Sequence, residues 1–548
     1  MEKIKLKGKL NISLLVKCAI ALVFPGIVCL VYCAVRHVGI GELFLPASYN
    51  NDCVFYYKQI EAILSGGVPD GYFGFNESRA AVGGLAAWSP LIYFPWIVWG
   101  RIFGWNFASV LVCNVVLFGV ALCLFTYLTK PGDLSFGLSL GALLLFPSFP
   151  IHLLNALPEA VVASVFIVFL GLSVRCCDIA FLSGSGTGKN EDQKAIPYMV
   201  GAFIAGSYLT VIRPYMIVFL AIPVYALIKR YGKKAIAVSA AGVLATLLIY
   251  VLVNKYFTAD YFSPLFDTGI VKLALQGRIE EAFWSAVYVV KDMSARIGSF
   301  VLSAFDFGST AGTQYVLAFL GAVISAVLFF DKKEKSRRPL YLVYFIAVVL
   351  LFGAIVLFLQ KANEGARHLW VFSVAGCLLI PEALRGEVTD GYAEEKGQIH
   401  LPYYFLKLFS VVILIVFMIR GSIVPTDYDI PIGTKELREE ISLWEEAFKS
   451  VKPVDKTTNG YENTVAWVFV DYDGEDMIVT EYAPLYVLPK KMGISCCYPD
   501  HILDDLDSVK SRFIYTDSRG KVAALCSEKG MSVVAKIGNT IIFERSHE

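Results

Sequence analysis

Charge is scarce in this chain. Only 17% of its 548 residues are Asp, Glu, Lys or Arg, while 56% are hydrophobic, and mean hydropathy is +0.61. A soluble domain usually carries about 25% charged residues to cover its surface, so a soluble globular protein is excluded. A surplus of either sign is missing too. With 48 basic and 47 acidic residues the net charge is +1, and nothing in that balance points to nucleic acid or to an acidic partner. Cys/His pairs at zinc spacing are absent. Cys18, Cys29, Cys33, Cys113, Cys123 and Cys377 lie inside apolar runs, where a thiol is a packing group, and Cys176-Cys177 and Cys496-Cys497 are adjacent pairs poorly placed for a local bridge. An intact nucleotide loop is lacking as well. In "SGSGTGKNE", 183–191, Ser183 stands where the first glycine belongs and Asn190 where Ser or Thr belongs, so the stretch reads as a flexible linker. No small-residue cleavage site follows the first apolar run, which is also too long for a signal segment, and it is expected to remain as an anchor.

What the chain does contain is long apolar runs. They fall near 14–36, 106–128, 134–152, 158–175, 197–213, 214–229, 235–257, 313–330, 339–360, 368–384 and 402–420. Runs of about 20 apolar residues match a bilayer core, where a helix satisfies its own backbone polar groups. The expected fold is therefore mainly α, a multi-pass cell-membrane protein with about eleven transmembrane helices. Lys3, Lys5, Lys7 and Lys9 precede the first run, and alternate loops hold Lys130; Arg175, Lys189 and Lys194; Lys229, Arg230, Lys233 and Lys234; and Lys332, Lys333, Lys335, Arg337 and Arg338. Positive loops stay in the cytoplasm, so the N-terminus is expected inside and the segments 37–105 and 258–312 outside. Trp88 to Gly104, broken by Pro90 and Pro95, reads as an interfacial helix, and Phe283, Trp284 and Tyr288 place 258–312 along the interface as well.

After 420 the pattern changes. "TVAWVFVDY", "SRFIYTD" and "SVVAKIGNTIIFE" read as strands, and "ELREEISLWEEAFKSV" and "GKVAALCSEKG" as helices. The expected organisation is a polytopic membrane domain over 1–420 and a small extracytoplasmic α/β domain over 421–548.

The polar residues that break the apolar pattern gather at the outer surface. Asp52 opens the helix-like stretch "DCVFYYKQIEAIL", where an acid taken alone reads first as a helix cap, and its place beside the aromatic interfacial segment stands against that reading. Glu159 begins the fourth run, where it complements a helix dipole but is expensive at that depth unless paired or used. Arg213 precedes Pro214 between two runs and reads otherwise as a snorkelling cation. "QKANEGARHLW", 360–370, brings Glu364, Arg367 and His368 to a helix start, an arrangement suited to a phosphate. "NES" at 76–78 fits the weak pattern of a glycosylation acceptor.

The stretch from 45 to 104 resembles the first external loop of the C-type (GT-C) membrane glycosyltransferase superfamily, most closely the branch of protein O-mannosyltransferases and the lipid A aminoarabinose transferase. The matching residues are Asp52, Tyr56-Tyr57, Ile60 to Leu64, Gly66-Gly67-Val68-Pro69, Pro90-Leu91 and Phe103-Gly104. Glu159 falls where that family carries a second acid, and "ARHLW" is similar to its Arg-Tyr segment, with His368 in place of Tyr. Asn51-Asp52 replaces the usual acid pair, and "WSPL" lacks the Lys that often precedes Pro-Leu. The resemblance implies transfer of a sugar from a polyprenyl-phosphate donor, with inversion, to an acceptor hydroxyl of an envelope glycan, lipid or protein. It implies Asp52 and Glu159 as catalytic carboxylates, and Tyr56, Tyr57, Arg367 and His368 as substrate-binding; Arg213 and Glu364 join the substrate-binding candidates by their charge and place at the same outer surface. Expelling a phosphate needs no strong general acid, only a carboxylate for the acceptor proton and cations for the leaving charge. No cofactor is called for by the residues, and a divalent metal ion is left open. A lipid-linked oligosaccharide flippase or transporter is the alternative, although such proteins set polar groups near the midplane; a polysaccharide polymerase or ligase is another.

Overall fold

The structure is a computed structural model that describes residues 12–46, 52–66, 76–77, 89–182, 189–257, 267–304, 310–331, 334–382, 408–416, 432–454, 461–473 and 476–545. Among the described residues, eight helices are long and apolar enough to cross a membrane: Ile12–Arg36, Ser109–Thr129, Glu159–Phe181, Ala195–Ile212, Pro214–Tyr231, Lys234–Tyr256, Ala311–Phe330 and Arg338–Leu359. The three other apolar runs behave differently. The run at 134–152 is split into Asp133–Leu144 and Ser148–Leu153, because Pro147 and Pro150 deny the helix its backbone donors. The run at 368–384 is the inner part of a helix, Ala362–Glu382, whose first turns carry Glu364 and Arg367. Most of 402–420 lies outside the described residues.

Burial ranks the helices from centre to rim. The span that starts at Glu159 is 78% buried along its most apolar window, whereas Lys234–Tyr256 is 11% buried and leaves nearly all its sides uncovered by the rest of the chain. Ala362–Glu382 lies against the helix Thr310–Phe330 with very little space between them. A Cβ on Gly376 would come within 2.7 Å of the Leu317 carbonyl oxygen. Only a small residue permits that approach, the usual way helices close together in a membrane. Ser373 Oγ donates to Gln314 O at 2.6 Å and Tyr315 Oη to Ala362 O at 2.8 Å, which fixes the rotation of this helix. At the opposite end of the bundle Arg337 donates to both Asp178 oxygens at 3.1 and 3.0 Å.

Outside the spans, the helix Phe94–Phe103 leaves Phe94, Ile102 and Phe103 exposed. The helix Ile279–Ser303 leaves Phe283, Trp284 and Tyr288 exposed. Aromatics of this kind favour the boundary between lipid and water.

The C-terminal part is an α/β sheet. Its strands are β1 (Thr464–Val468), β2 (Val470–Asp473), β3 (Asp476–Val479), β4 (Gly493–Cys497), β5 (Phe513–Asp517), β6 (Ser532–Ile537) and β7 (Thr540–Glu544). The main sheet runs β4-β1-β5-β7-β6, with β4, β1 and β5 parallel and β7 and β6 antiparallel, while β2 and β3 form a separate hairpin. β1, β5 and β7 are almost wholly buried, as the central strands of a covered sheet must be. The helix Lys435–Phe448 packs Trp444 near Tyr515, with ring centroids 6.0 Å apart.

This sheet is joined to the 37–105 segment by a dense polar contact. The Asn76 amide donates to Cys496 O at 2.8 Å, and the Tyr498 amide donates to Asn76 Oδ1 at 2.9 Å. The Asn76 side chain thus serves the joint between the two parts. The buried Glu77 carboxylate accepts from the Ser511 amide at 2.6 Å and the Lys510 amide at 2.9 Å, and faces His501 Nε2 at 3.3 Å. Both residues take left-handed backbone angles, φ 47° and 57°, which cost about 1 kcal/mol each or more for residues with a Cβ. The hydrogen bonds they make offset that strain.

Burial opposes the charge on Glu77, but bonds from His501, Lys510 and Ser511 outweigh it and hold the carboxyl below its ordinary 4.5. A carboxyl depressed by folding stabilises the folded form fully above its unfolded value, and the contribution is lost as pH falls through the lower folded value. Below pH 4.5 the protection of the Lys510 and Ser511 amides against hydrogen exchange should therefore weaken. Glu77→Gln should weaken it already at neutral pH, by about 1.5–3 kcal/mol, and remove the acid dependence. Unchanged protection in this variant would show that Glu77 does not hold the joint.

Candidate functional site

Four charged side chains from distant parts of the sequence meet at one end of the bundle. Local sequence explains how each is presented. Asp52 is the first residue of the helix Asp52–Gly66. Glu159, just after Pro158, is the first residue of the helix Glu159–Leu182. Arg213 precedes Pro214, which disfavours the helical region for the residue before it; its backbone is extended, at φ −144° and ψ 94°, between the helix Lys189–Ile212 and the tighter turn Pro214–Leu220. Arg367 lies in the second turn of Ala362–Glu382. Gly365 lets that turn settle, since a Cβ there would come within 2.4 Å of Ile355 Cγ2 and 2.7 Å of Tyr315 Oη.

The guanidinium of Arg367 bridges the two acids. Its Nη1 donates to Asp52 Oδ2 at 2.8 Å and its Nε to Glu159 Oε1 at 2.8 Å. Arg213 Nη2 donates to the same Glu159 oxygen at 3.1 Å. Side-chain exposure falls in order from Asp52 at 41% and Arg367 at 25% to Glu159 at 3% and Arg213 at 2%. The four formal charges cancel. Glu159 and Arg213 are thus a buried pair that water does not reach, and breaking such a pair typically costs 3–5 kcal/mol, or about that. The Asp52–Arg367 link is at the outer edge, where an ion pair is worth about 0–1 kcal/mol and is open to exchange.

Tyr56 follows Asp52 by one helical turn and is buried, with its ring 5.8 Å from that of Tyr93. Burial raises its phenol above the ordinary value, and the charges of Arg367, Asp52, Glu159 and Arg213 all act on it, so it remains a neutral hydroxyl beside the cluster. His368 stands against Tyr215, ring centroids 6.1 Å apart and nearly perpendicular. His152 joins the same buried layer on Trp370, at 4.6 Å; nothing in its apolar run marks it in sequence. Two of the expected binding residues are placed elsewhere. Glu364 is paired with Lys361 at 3.0 Å on the exposed side of the helix. Tyr57 is turned by 100° from Tyr56 and packs with Trp105, Phe107 and Tyr486 at 5.2, 5.8 and 5.2 Å.

A divalent ion needs several oxygen ligands with uncompensated negative charge. Among the described residues no group of three or more His, Cys, Asp and Glu is gathered to hold a metal. The place between Asp52 and Glu159 is taken by the Arg367 guanidinium.

No protein-family model and no curated protein matches the chain. Solved structures do. ArnT from Cupriavidus metallidurans, solved with undecaprenyl phosphate, matches with a TM-score of 0.50 at 11% identity, over 98% of this chain and 98% of that one. The oligosaccharyltransferase of Archaeoglobus fulgidus in its apo form gives 0.48 at 11% identity over 94% of this chain and 73% of that one. The archaeal oligosaccharyltransferase AglB from the same organism, with an inhibitory peptide and a dolichol-phosphate, gives 0.45 at 12% identity, over 94% and 72%. Agreement with the first of these over nearly the whole of both chains shows the fold: the chain is built like ArnT.

Proposed function

We propose that this protein is a membrane glycosyltransferase that moves a sugar from a polyprenyl-phosphate donor to an acceptor hydroxyl on the extracytoplasmic face. The observation that carries the reading is the Arg367 bridge between an accessible acid, Asp52, and a buried one, Glu159. A cation and a base side by side at the end of a membrane bundle suit a reaction whose leaving group is a lipid phosphate. The neighbour of like fold from Cupriavidus metallidurans holds a lipid phosphate of this class.

In this reading the donor phosphate takes the outer place on Arg367 and releases Asp52 from it. Asp52 accepts the proton of the acceptor hydroxyl. The acceptor oxygen bonds to the anomeric carbon, the bond from that carbon to the phosphate oxygen breaks, and the lipid phosphate leaves with the electron pair. Arg367 stabilises its charge. Attack opposite the leaving phosphate inverts the anomeric centre. Glu159 and Arg213, too buried to touch a substrate, keep Arg367 oriented. The acceptor belongs to the cell envelope, as a glycan, a lipid or a protein hydroxyl.

Asp52→Asn separates the base from a helix cap, because Asn caps about as well as Asp but cannot take a proton. Turnover with lipid-phosphate sugars should fall by a factor of about 10²–10⁴, with donor binding and thermal stability retained. Wild-type turnover would end the assignment.

Arg367→Ala should weaken donor binding by about 1.5–3 kcal/mol, roughly 10- to 150-fold in Kd, without altering acceptor dependence. Arg213→Ala should instead lower thermal stability, since it removes one of the two cations that hold the buried Glu159. Equal donor affinity in the wild type and Arg367→Ala would remove Arg367 from the phosphate site.

The C-terminal domain rests on the Asp52 helix: Lys58 Nζ donates to Leu488 O at 2.8 Å, and the rings of Phe55 and Trp467 are 5.7 Å apart. The domain and the 37–105 segment should therefore report the same side. Topology reporters in that segment and after residue 545 are expected outside, with an N-terminal reporter inside; a split between the first two would refute the arrangement.

A further inference from the structure

Beside the charged cluster runs a second buried polar network that contains no charge. Asn114 is fully buried in the apolar helix Ser109–Thr129. Its Oδ1 accepts from Trp96 Nε1 at 2.8 Å, and its Nδ2 donates to Leu153 O at 3.2 Å and Asn155 O at 3.0 Å. An indole only donates and a carbonyl only accepts, so these partners fix the orientation of the amide. Asn155 is 1% exposed. Its Oδ1 accepts from the Ala156 amide at 2.8 Å and from the thiol of Cys53.

Cys53 is the neighbour of Asp52, and Asn155 lies in the turn that launches Glu159. One asparagine side chain thus joins the start of the Asp52 helix to the start of the Glu159 helix. A second asparagine fixes the turn between them to the bundle and to the interfacial helix Phe94–Phe103. A buried amide costs free energy unless its hydrogen bonds are met, and an apolar residue would fill an apolar helix as well as Asn114 does. The outer Asp52–Arg367 link is too exposed to hold Asp52 alone. Something must restrain the backbone at Asp52 while its carboxylate is released, and this network is attached at the next residue.

We propose that Asn155, held by Asn114, is a positioning residue that sets Asp52 at its working distance from Arg367 and Glu159. The proposal rests on the transferase reading of the site. It acts through placement, where a shift of about 1 Å can cost about 10²-fold in rate.

The test is a double-mutant cycle on the full-length protein in lipid, with donor KM and kcat measured separately. Asn155→Ala should lower kcat by about 10²-fold while donor KM stays within about twofold. Combined with Asp52→Asn, it should cause no further loss, because its effect passes through the Asp52 carboxylate. Losses that multiply would overturn the proposal and leave the transferase reading standing. Wild-type turnover of Asp52→Asn alone would overturn the reading, and the proposal with it. Should Asn155→Ala fail to fold, Cys53 carries the same test. Cys53→Ser keeps a donor for Asn155 and should lose clearly less kcat than Cys53→Ala; equal losses would refute the tether.

Discussion

The rest of the site depends on one guanidinium held between two carboxylates. Arg367 reaches Asp52 and Glu159 with separate nitrogens, each at 2.8 Å, and only a planar, permanently charged fork can do this. The acids come from positions 52 and 159 and the second cation from 213. Four polar chain segments are thereby obliged to end at one place on the bundle. Burial makes the obligation strict. Glu159 is 3% exposed, so it must keep its cations or forfeit its charge. The close packing of Gly376 on Leu317 and of Gly365 on Ile355 then follows as a requirement, since it sets the depth at which Arg367 is presented.

The exposure gradient across the cluster divides the labour. Toward the bundle, Arg213 and Glu159 are fixed. Toward solvent, Asp52 and Arg367 form a weak pair whose partners are each available to a ligand. A site in which all four charges were equally buried would be rigid but inert, and one with all four exposed would hold no orientation.

The apolar runs made the α-helical bundle legible in sequence because bilayer-spanning helices need continuous hydrophobicity. Glu159, Arg213 and Arg367 were legible because each interrupts or borders such a run, and Asp52 because it opens the helix-like stretch "DCVFYYKQIEAIL". Rotation and depth were not. Glu364 and Arg367 are one turn apart, and spacing alone does not say that Arg367 turns to the site while Glu364 pairs with Lys361 on the exposed side. Tyr57 shares its dipeptide with Tyr56, yet the partner that claims it, Tyr486, is far along the chain. β4, "GISCC", escaped notice because a short strand buried on both faces shows no alternation. Asn114 did carry a signal, as the one amide side chain in the apolar helix Ser109–Thr129, but its meaning required its partners.

The helix Asp52–Gly66 shows why the C-terminal domain belongs to the site. Its residues from Cys53 to Ile63 are buried without interruption, Lys58, Gln59 and Glu61 among them. A helix with no exposed stripe needs neighbours on every side, and the bundle supplies only part of them. The sheet supplies the rest: Trp467 against Phe55, Tyr486 against Tyr57, and the Leu488 carbonyl for the ammonium of Lys58, which also meets Glu61. The same sheet is stitched to Asn76 and Glu77, beyond the end of this helix. The one residue of its first turn that remains substantially open is Asp52. The accessible carboxylate is therefore carried on an element clamped between two parts of the fold, and the position of its charge is set by both.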